Sequence, residues 1–314
     1  MKKSNKIILI ISTIIICIIV YFVSINIYKS EKNSQTAEEL ISEEKLYDIQ
    51  NYPKVDSSIV TQNLAAAFIE NFTAETNIDQ KYLNYSNTHT AYQRLINNDV
   101  DLIISKSPSK SDFDLAKEKK VEFDLIPIVK DAIVFFVNSD NPVDNITTSQ
   151  LQEIYSGTIN NWKILGGNDE SILAYQNPEG TDIQNEMSSV VMKELTLSSA
   201  PVETLSENSQ TINNFVSNYK NDINAIGYSS YIFANSLYSD KTGEISPNMK
   251  LLSIDGISPT AQSIKDGSYP FITYYYIVVN KDDYSNFPSR ILAEQMQSSR
   301  GKKIIENAGF IPAE

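Results

Sequence analysis

The N-terminal part of the chain is an apolar run that contains no charged residue from Ile7 to Tyr28. As an α-helix this run is about 33 Å long, enough to cross a hydrocarbon core of about 30 Å. A cleaved signal peptide is the alternative, but its apolar part is usually about 7–15 residues long and is followed by a small-residue cleavage site. No such site follows this run, and Cys17 lies in its middle after three isoleucines, which disfavours lipid attachment. We therefore predict an uncleaved transmembrane anchor at residues 7–28.

The charges on either side of this run are unequal. Residues 1–6 contain three lysines and no acid, whereas residues 29–50 are polar and mix lysines with many acids. The positive-inside rule predicts that residues 1–6 lie in the cytoplasm and that the large domain lies outside. We expect a single-pass protein of the cell membrane in which residues 29–50 form a polar tether.

Beyond residue 51, apolar positions alternate between helical spacing and strand-like runs. Helices are predicted at 62–72, 91–96, 149–155 and 183–194, and strands at 100–104, 126–128, 132–137, 225–228 and 274–279. This alternation predicts an α/β fold with mainly parallel sheets.

Composition narrows the function. The chain has 26 Lys and Arg against 39 Asp and Glu, a net charge of -13. Nucleic acid is not expected as a partner, because binding its phosphates requires clustered cations. With one cysteine (Cys17) and one histidine (His89), the chain cannot form an internal disulfide or a Cys/His zinc site. No nucleophile motif is present, so we expect no enzyme, no metal and no cofactor.

Four Ser/Thr-rich turns separate a predicted strand from the start of a helix. They lie at residues 56–58, 86–89, 105–109 and 179–182. Such residues are good N-caps, which is one interpretation of each turn. The other is a shared anion site, because free N–H groups and positive helix ends would meet at the carboxyl ends of the strands.

Several motifs resemble those of phosphate-binding proteins that serve phosphate ABC transporters, the PstS-like family of the type II periplasmic-binding-protein superfamily. The resemblance is carried, in chain order, by NYPKVDSS at 51–58, NTHTAY at 87–92, NPV at 141–143, IYSG at 154–157, INNW at 159–162, AIGYS at 225–229 and KLLSIDGISPT at 250–260. It covers roughly residues 51–312.

The resemblance implies a two-lobed α/β fold with crossing hinge strands that closes on a ligand between the lobes. We expect lobe one at residues 51–127 plus 270–314 and lobe two at 128–269. The hinge crossings are expected near residues 127–130 and 268–271. Phosphate or a related small oxyanion is the implied ligand, and an ABC permease is the implied partner.

The ligand loops depart most from the family. Asn177 stands where the family has a phosphate-clamping arginine, and Ile59 stands where it has a hydroxyl. Lys106 stands where a carboxylate is frequent, and is either a replacement cation or a solvated lysine. The candidate ligand contacts that remain are Ser57, Ser58, Ser105, Lys106, Thr181 and Gln184, with Asn177 at the arginine position and His89 as a cap residue or a further contact.

Two functions follow from the resemblance and these departures. The first is a membrane-anchored solute-binding protein that delivers phosphate or a related anion to a permease. The second is a sensor or interaction module whose phosphate site has lapsed or been retuned. A neutral or cationic ligand would suit Asn177, Glu179, Asp182 and Tyr231 better than phosphate.

Overall fold

The computed structural model describes residues 45–75, 82–199, 222–238, 249–281 and 287–314. The predicted anchor at 7–28 and most of the predicted tether lie outside these ranges. Within them, no helix has the length and apolar character needed to cross a membrane.

Most strands belong to one mixed sheet. The strands are β1 Val55–Ser57, β2 Leu83–Tyr85, β3 Leu102–Ser105, β4 Phe123–Asn138, β5 Asn145–Ile146, β6 Leu173–Ala174, β7 Ala225–Ser230, β8 Met249–Leu251, β9 Ser253–Ile254, β10 Ile272–Asn280 and β11 Ile311–Pro312. The order in the large sheet is β2-β1-β3-β10-β4-β7-β6, with β8 and β11 also paired to β4, while β5 and β9 form a small separate pair.

The prediction of mainly parallel sheets is wrong. β1 runs parallel to β2 and β3, and β6 runs parallel to β7, but β10 and β4 are antiparallel to every strand they pair with. Apolar runs do not reveal strand direction, because buried strands of either kind are continuously apolar. The fold is therefore mixed α/β.

Helices occur at or near every position where the sequence predicted one, and at further positions between the strands. They are α1 Gln62–Thr73, α2 Thr88–Ile96, α3 Lys110–Lys119, α4 Thr148–Tyr155, α5 Asp182–Glu186, α6 Tyr231–Tyr238, α7 Ala261–Lys265, α8 Phe287–Gln297 and α9 Ser299–Asn307. The helix predicted at 183–194 is α5 followed by a π-helical segment, Met187–Met192. Short 3-10 turns occur at Ile49–Asn51, Ile59–Thr61 and Trp162–Leu165.

Two separate apolar cores make the protein two-lobed. One core contains Phe68 and Leu102, and the other contains Trp162 and Ile226. β4 contributes to both, since Val129 packs in the first core while Ala132, Phe135 and Val137 pack in the second. β10 runs alongside β4, so these two long strands connect the lobes.

A proline lies inside β4 and is accommodated by an irregularity. Pro127 has no N–H to donate, and the register between β4 and β10 shifts between Tyr275 and Tyr276, beside that proline. The two apolar segments predicted at 126–128 and 132–137 are consequently parts of one strand.

Candidate functional site

A cavity of about 240 Å³ lies where loops of the two lobes meet. It is lined by Ser58, Ile59, Val60, Ser86, Asn87, Thr88, Lys106, Thr181, Asp182, Ile183, Glu186, Ser229, Ser230, Phe233 and Tyr275. All four Ser/Thr-rich turns identified in the sequence contribute to this lining. For the three turns of the first lobe, the convergence follows from the sheet, because β1, β2 and β3 are parallel and end at the same edge.

The turns of the first lobe are also helix caps. The Ser58 hydroxyl accepts a hydrogen bond from the Thr61 N–H at 3.3 Å. The Asn87 side chain accepts one from the Thr90 N–H at 2.8 Å. The N-cap interpretation and the lining of the cavity therefore apply to the same residues.

The two lobes touch through the start of α5. The Thr88 hydroxyl donates to Asp182 Oδ2 at 2.5 Å, and the Ser105 hydroxyl donates to Thr88 Oγ1 at 3.0 Å. Thr181, directly before α5, makes no capping hydrogen bond and instead donates to the Pro178 carbonyl at 2.8 Å. The first turn of α5 is thus held against α2 by a side chain of each lobe.

Lys106 lies in a buried cluster of opposite charges at the wall of the cavity. Its ammonium group lies 2.9 Å from Asp131 Oδ2, 3.0 Å from Glu186 Oε1 and 3.0 Å from Thr273 Oγ1. It also lies 4.2 Å from the centre of the Tyr275 ring. Burial alone lowers the pKa of Lys106, but the charges of Asp131 and Glu186 outweigh that effect and raise the pKa above its ordinary value. Lys106 is therefore charged and already paired.

The two carboxylates that contact Lys106 differ in how many of their oxygens have a hydrogen-bond partner. Asp131 accepts from Lys106 with one oxygen and from the Ile232 N–H at 3.1 Å with the other. Glu186 pairs with Lys106 through Oε1, whereas its Oε2 is buried and has no hydrogen-bond partner among the described residues. Burial raises the pKa of Glu186 to about 7, with Lys106 opposing the shift and Asp131 adding to it.

Asp182 is the third carboxylate near the cavity. Burial raises its pKa, while the hydrogen bond from Thr88 and the charge of Lys106 act in the opposite direction. Asp182 and Glu186 are four residues apart on one helix, which puts both on the same face. A second cavity of about 310 Å³ is also lined by Lys106, Asp182 and Glu186.

Of the predicted ligand contacts, Ser58, Lys106 and Thr181 line the cavity. Ser57 and Ser105 are fully buried and are not part of the lining. The Ser57 hydroxyl donates to the Ser58 carbonyl at 3.3 Å. These two serines support the loops rather than face the cavity.

The other three predicted contacts lie away from the cavity. Asn177 and Gln184 are buried and both bond to Tyr228: the Asn177 N–H donates to the Tyr228 hydroxyl at 3.1 Å, and that hydroxyl donates to Gln184 Oε1. His89 has a half-exposed side chain, and its Nδ1 lies 2.5 Å from Asp112 Oδ1 at the start of α3. Asn177 therefore does not occupy the place of a ligand-clamping cation.

Sequence reasoning missed Asp131 and Glu186 as parts of the site. Asp131 interrupts the apolar run of β4, and an acid inside a buried strand is a recognisable signal of a polar site. Glu186 follows Asp182 by one helical turn, which was readable once the helix was predicted. Of the residues named for a neutral or cationic ligand, Asp182 lines the cavity and Asn177, Glu179 and Tyr231 do not.

Two lobes joined by two long strands, with a cavity between their helix starts, define the class of two-lobed binding proteins. Residues 52–295 match the family described as "PBP superfamily domain". The chain belongs to this superfamily of periplasmic-binding-protein-like domains.

Relatives and solved structures resemble the chain at low identity. The phosphate-binding protein PstS of Bacillus subtilis is 28% identical over 177 residues, 56% of this chain and 53% of that protein. The chain thus spans about half the length of this relative. PstS of Staphylococcus aureus strain RF122 is 23% identical over 273 residues, 85% of this chain and 80% of that protein.

Two crystal structures show the same fold. One is a putative phosphate ABC transporter substrate-binding protein with bound phosphate from Clostridium perfringens, with a TM-score of 0.57, 21% identity, and coverage of 84% of this chain and 100% of that chain. The other is an ABC-type phosphate transport receptor from Vibrio cholerae, with a TM-score of 0.60, 18% identity, and coverage of 84% and 100%. These comparisons confirm the family resemblance seen in the motifs.

Proposed function

We propose that this chain is an extracytoplasmic solute-binding protein that holds a small solute in the cavity between its lobes. The observation that carries the proposal is the convergence of four helix-initiating turns, from both lobes, on one cavity. Backbone N–H groups and hydroxyls at such turns are ready donors to a ligand. Motion of the lobes about β4 and β10 would admit and release the solute.

The proposal includes the membrane anchor and the lobe boundaries. Residues 7–28 would hold the protein at the outer surface of the cell membrane, with residues 29–50 as a tether. Lobe one would comprise 51–127 plus 270–314, and lobe two would comprise 128–269. The change of core along β4, after Val129, supports a hinge close to that boundary. An ABC permease would receive the solute.

Phosphate or a related small oxyanion is the first candidate ligand, because the relatives and several solved structures are named as phosphate-binding proteins. The test is calorimetric titration of the detergent-solubilised full chain with inorganic phosphate. Micromolar binding that is weakened by Ser58→Ala and unaffected by Glu194→Gln, an exposed control outside the cavity, would support phosphate. Absence of heat at millimolar phosphate, on folded protein, would exclude it.

The charges of the cavity favour the second candidate, a binding-protein scaffold retuned away from phosphate for another solute or for sensing. Lys106 is occupied by two carboxylates, and Asp182 lines the cavity. A phosphate charge about 5 Å from a carboxylate, at an effective dielectric constant of about 20, is opposed by about 3 kcal/mol per pair of charges. That corresponds to about a hundredfold in affinity. If phosphate is nevertheless the ligand, Asp182→Asn should strengthen its binding by up to about that factor.

A further inference from the structure

The charged side chains at the cavity offer a ligand hydrogen-bond acceptors rather than donors, because the lysine among them is already paired. Among the described residues, its lining contains one cation, Lys106, and two carboxylates, Asp182 and Glu186. The ammonium group of Lys106 already contacts Glu186 and the buried Asp131. With one cation and three carboxylates, the cluster is formally two charges negative when all four groups are ionised. A ligand that brings a positive charge would offset part of this negative charge.

One oxygen of this cluster has no hydrogen-bond donor among the described residues. Glu186 Oε2 is buried and has no hydrogen-bond partner among the described residues, although Oε1 of the same carboxylate pairs with Lys106. A buried carboxylate oxygen is stabilised by a donor, and a cationic donor gives the stronger hydrogen bond. Glu186 lines the cavity, so its carboxylate is the group that a ligand there would approach.

Of the twelve lining residues that carry no formal charge, seven are Ser, Thr or Asn and five are aliphatic or aromatic. We define the apolar wall as Ile59, Val60, Ile183, Phe233 and Tyr275. Ile59 and Val60 expose 38% and 37% of their surface, although both are aliphatic. An inorganic oxyanion has no apolar surface to place against these side chains, whereas an organic ligand has. A volume of about 240 Å³ limits that ligand to a small molecule.

We propose that the cavity binds a small organic cation whose protonated amino group contacts the carboxylates of Asp182 and Glu186 and whose apolar part packs against the apolar wall. This inference rests on the proposed solute-binding function and names the class of solute. The amino group would donate to Glu186 Oε2, and the formal charge of the cluster around Lys106 would change from −2 to −1.

The test uses probes of one shape that differ in charge. Isopentylamine, 3-methylbutanol and isovalerate share a branched apolar body and carry a cationic, a neutral and an anionic end. Each is titrated into the full chain in detergent, with inorganic phosphate as the fourth probe. We expect isopentylamine to bind at least tenfold more tightly than 3-methylbutanol, and isovalerate and phosphate to bind more weakly still.

Variants then locate the binding. Glu186→Gln and Asp182→Asn should each weaken isopentylamine at least tenfold, whereas Glu194→Gln, the same change at an exposed position outside the cavity, should not. Circular dichroism establishes that each variant is folded. The comparison of the four probes on the unmodified chain needs no variant, so a folding defect in one variant does not leave the inference untested.

Three results would overturn the inference. Equal binding of the amine and the alcohol would show that the positive charge does not contribute to binding. Tighter binding of phosphate or isovalerate than of the amine would show that the cavity prefers anions, while the solute-binding function would stand. If no probe binds, the inference fails, and the proposed function is judged separately by whether low-molecular-weight solutes from culture medium protect the segments 58–61 and 181–186 from hydrogen exchange.

Discussion

Replacement of Lys106 with methionine removes the cation from the buried charge cluster while keeping a side chain of similar length. Asp131 is fully buried and the Glu186 side chain is 14% exposed, so both carboxylates would lose their counter-charge without gaining water. Removing one partner of a buried ion pair costs about 3–5 kcal/mol. The lost hydrogen bond to Thr273, 3.0 Å away, adds about 1 kcal/mol.

We expect Lys106→Met to lower the free energy of unfolding by about 3–5 kcal/mol, because protonation of Glu186 relieves part of the total. The measurement is urea denaturation at pH 8, followed by circular dichroism. Lys110→Met is the matched control: Lys110 pairs with Asp114 on the exposed face of α3, and its loss should leave the free energy of unfolding nearly unchanged, because an exposed ion pair contributes little. The double variant Lys106→Met/Glu186→Gln should recover part of the loss. A Lys106→Met protein within about 1 kcal/mol of the unmodified chain would refute the reasoning.

Three further predictions follow from the same structure. The pKa of Glu186 is raised from 4.5 to about 7 in the folded protein, so its contribution favours folding at low pH and is lost as the pH rises through that interval. Relative to Glu186→Gln, the free energy of unfolding of the unmodified chain should fall by about 3 kcal/mol between pH 4.5 and 7.5, as measured by urea denaturation. A difference between the two proteins that stays constant over this pH range would contradict the shift in pKa. Arg94→Ala should destabilise lobe one by about 3–5 kcal/mol, because Arg94 Nη1 lies 2.6 Å from Oδ2 of the buried Asp56. A melting temperature equal to that of the unmodified chain would argue against this. Deletion of residues 1–28 should release the protein from membranes into the soluble fraction, and continued membrane association would contradict the anchor.

Much of the fold was predictable because family motifs mark individual turns. The cap residues Ser58 and Asn87 and the strand at 100–104 are local features that the sequence displays directly. Strand direction was not predictable, because β4 is continuously apolar whether its neighbours are parallel or antiparallel. Pro127, which lies inside the apolar segment predicted at 126–128, is tolerated by a register shift that only the paired strands reveal.

The position of the site was predictable from the sequence, but the pairing of its charged residues was not. The four turns identified from sequence converge, yet the state of Lys106 depends on Asp131 and Glu186, which are distant in the chain. Sequence alone left Lys106 equally open as an anion ligand and as a solvated lysine, and the structure shows a buried side chain that is paired with two carboxylates. Asn177 and Gln184 were placed by motif alignment, and packing against Tyr228 turned them away from the cavity.

The central claim is that a small solute occupies the cavity between the lobes. Its most direct test is hydrogen–deuterium exchange of the full chain, with and without a low-molecular-weight extract of culture medium. We expect slower exchange in the segments 58–61 and 181–186, which bring both lobes to the cavity, and no change in the exposed face of α3. Unchanged exchange in both segments, with folded protein and concentrated extract, would contradict the account.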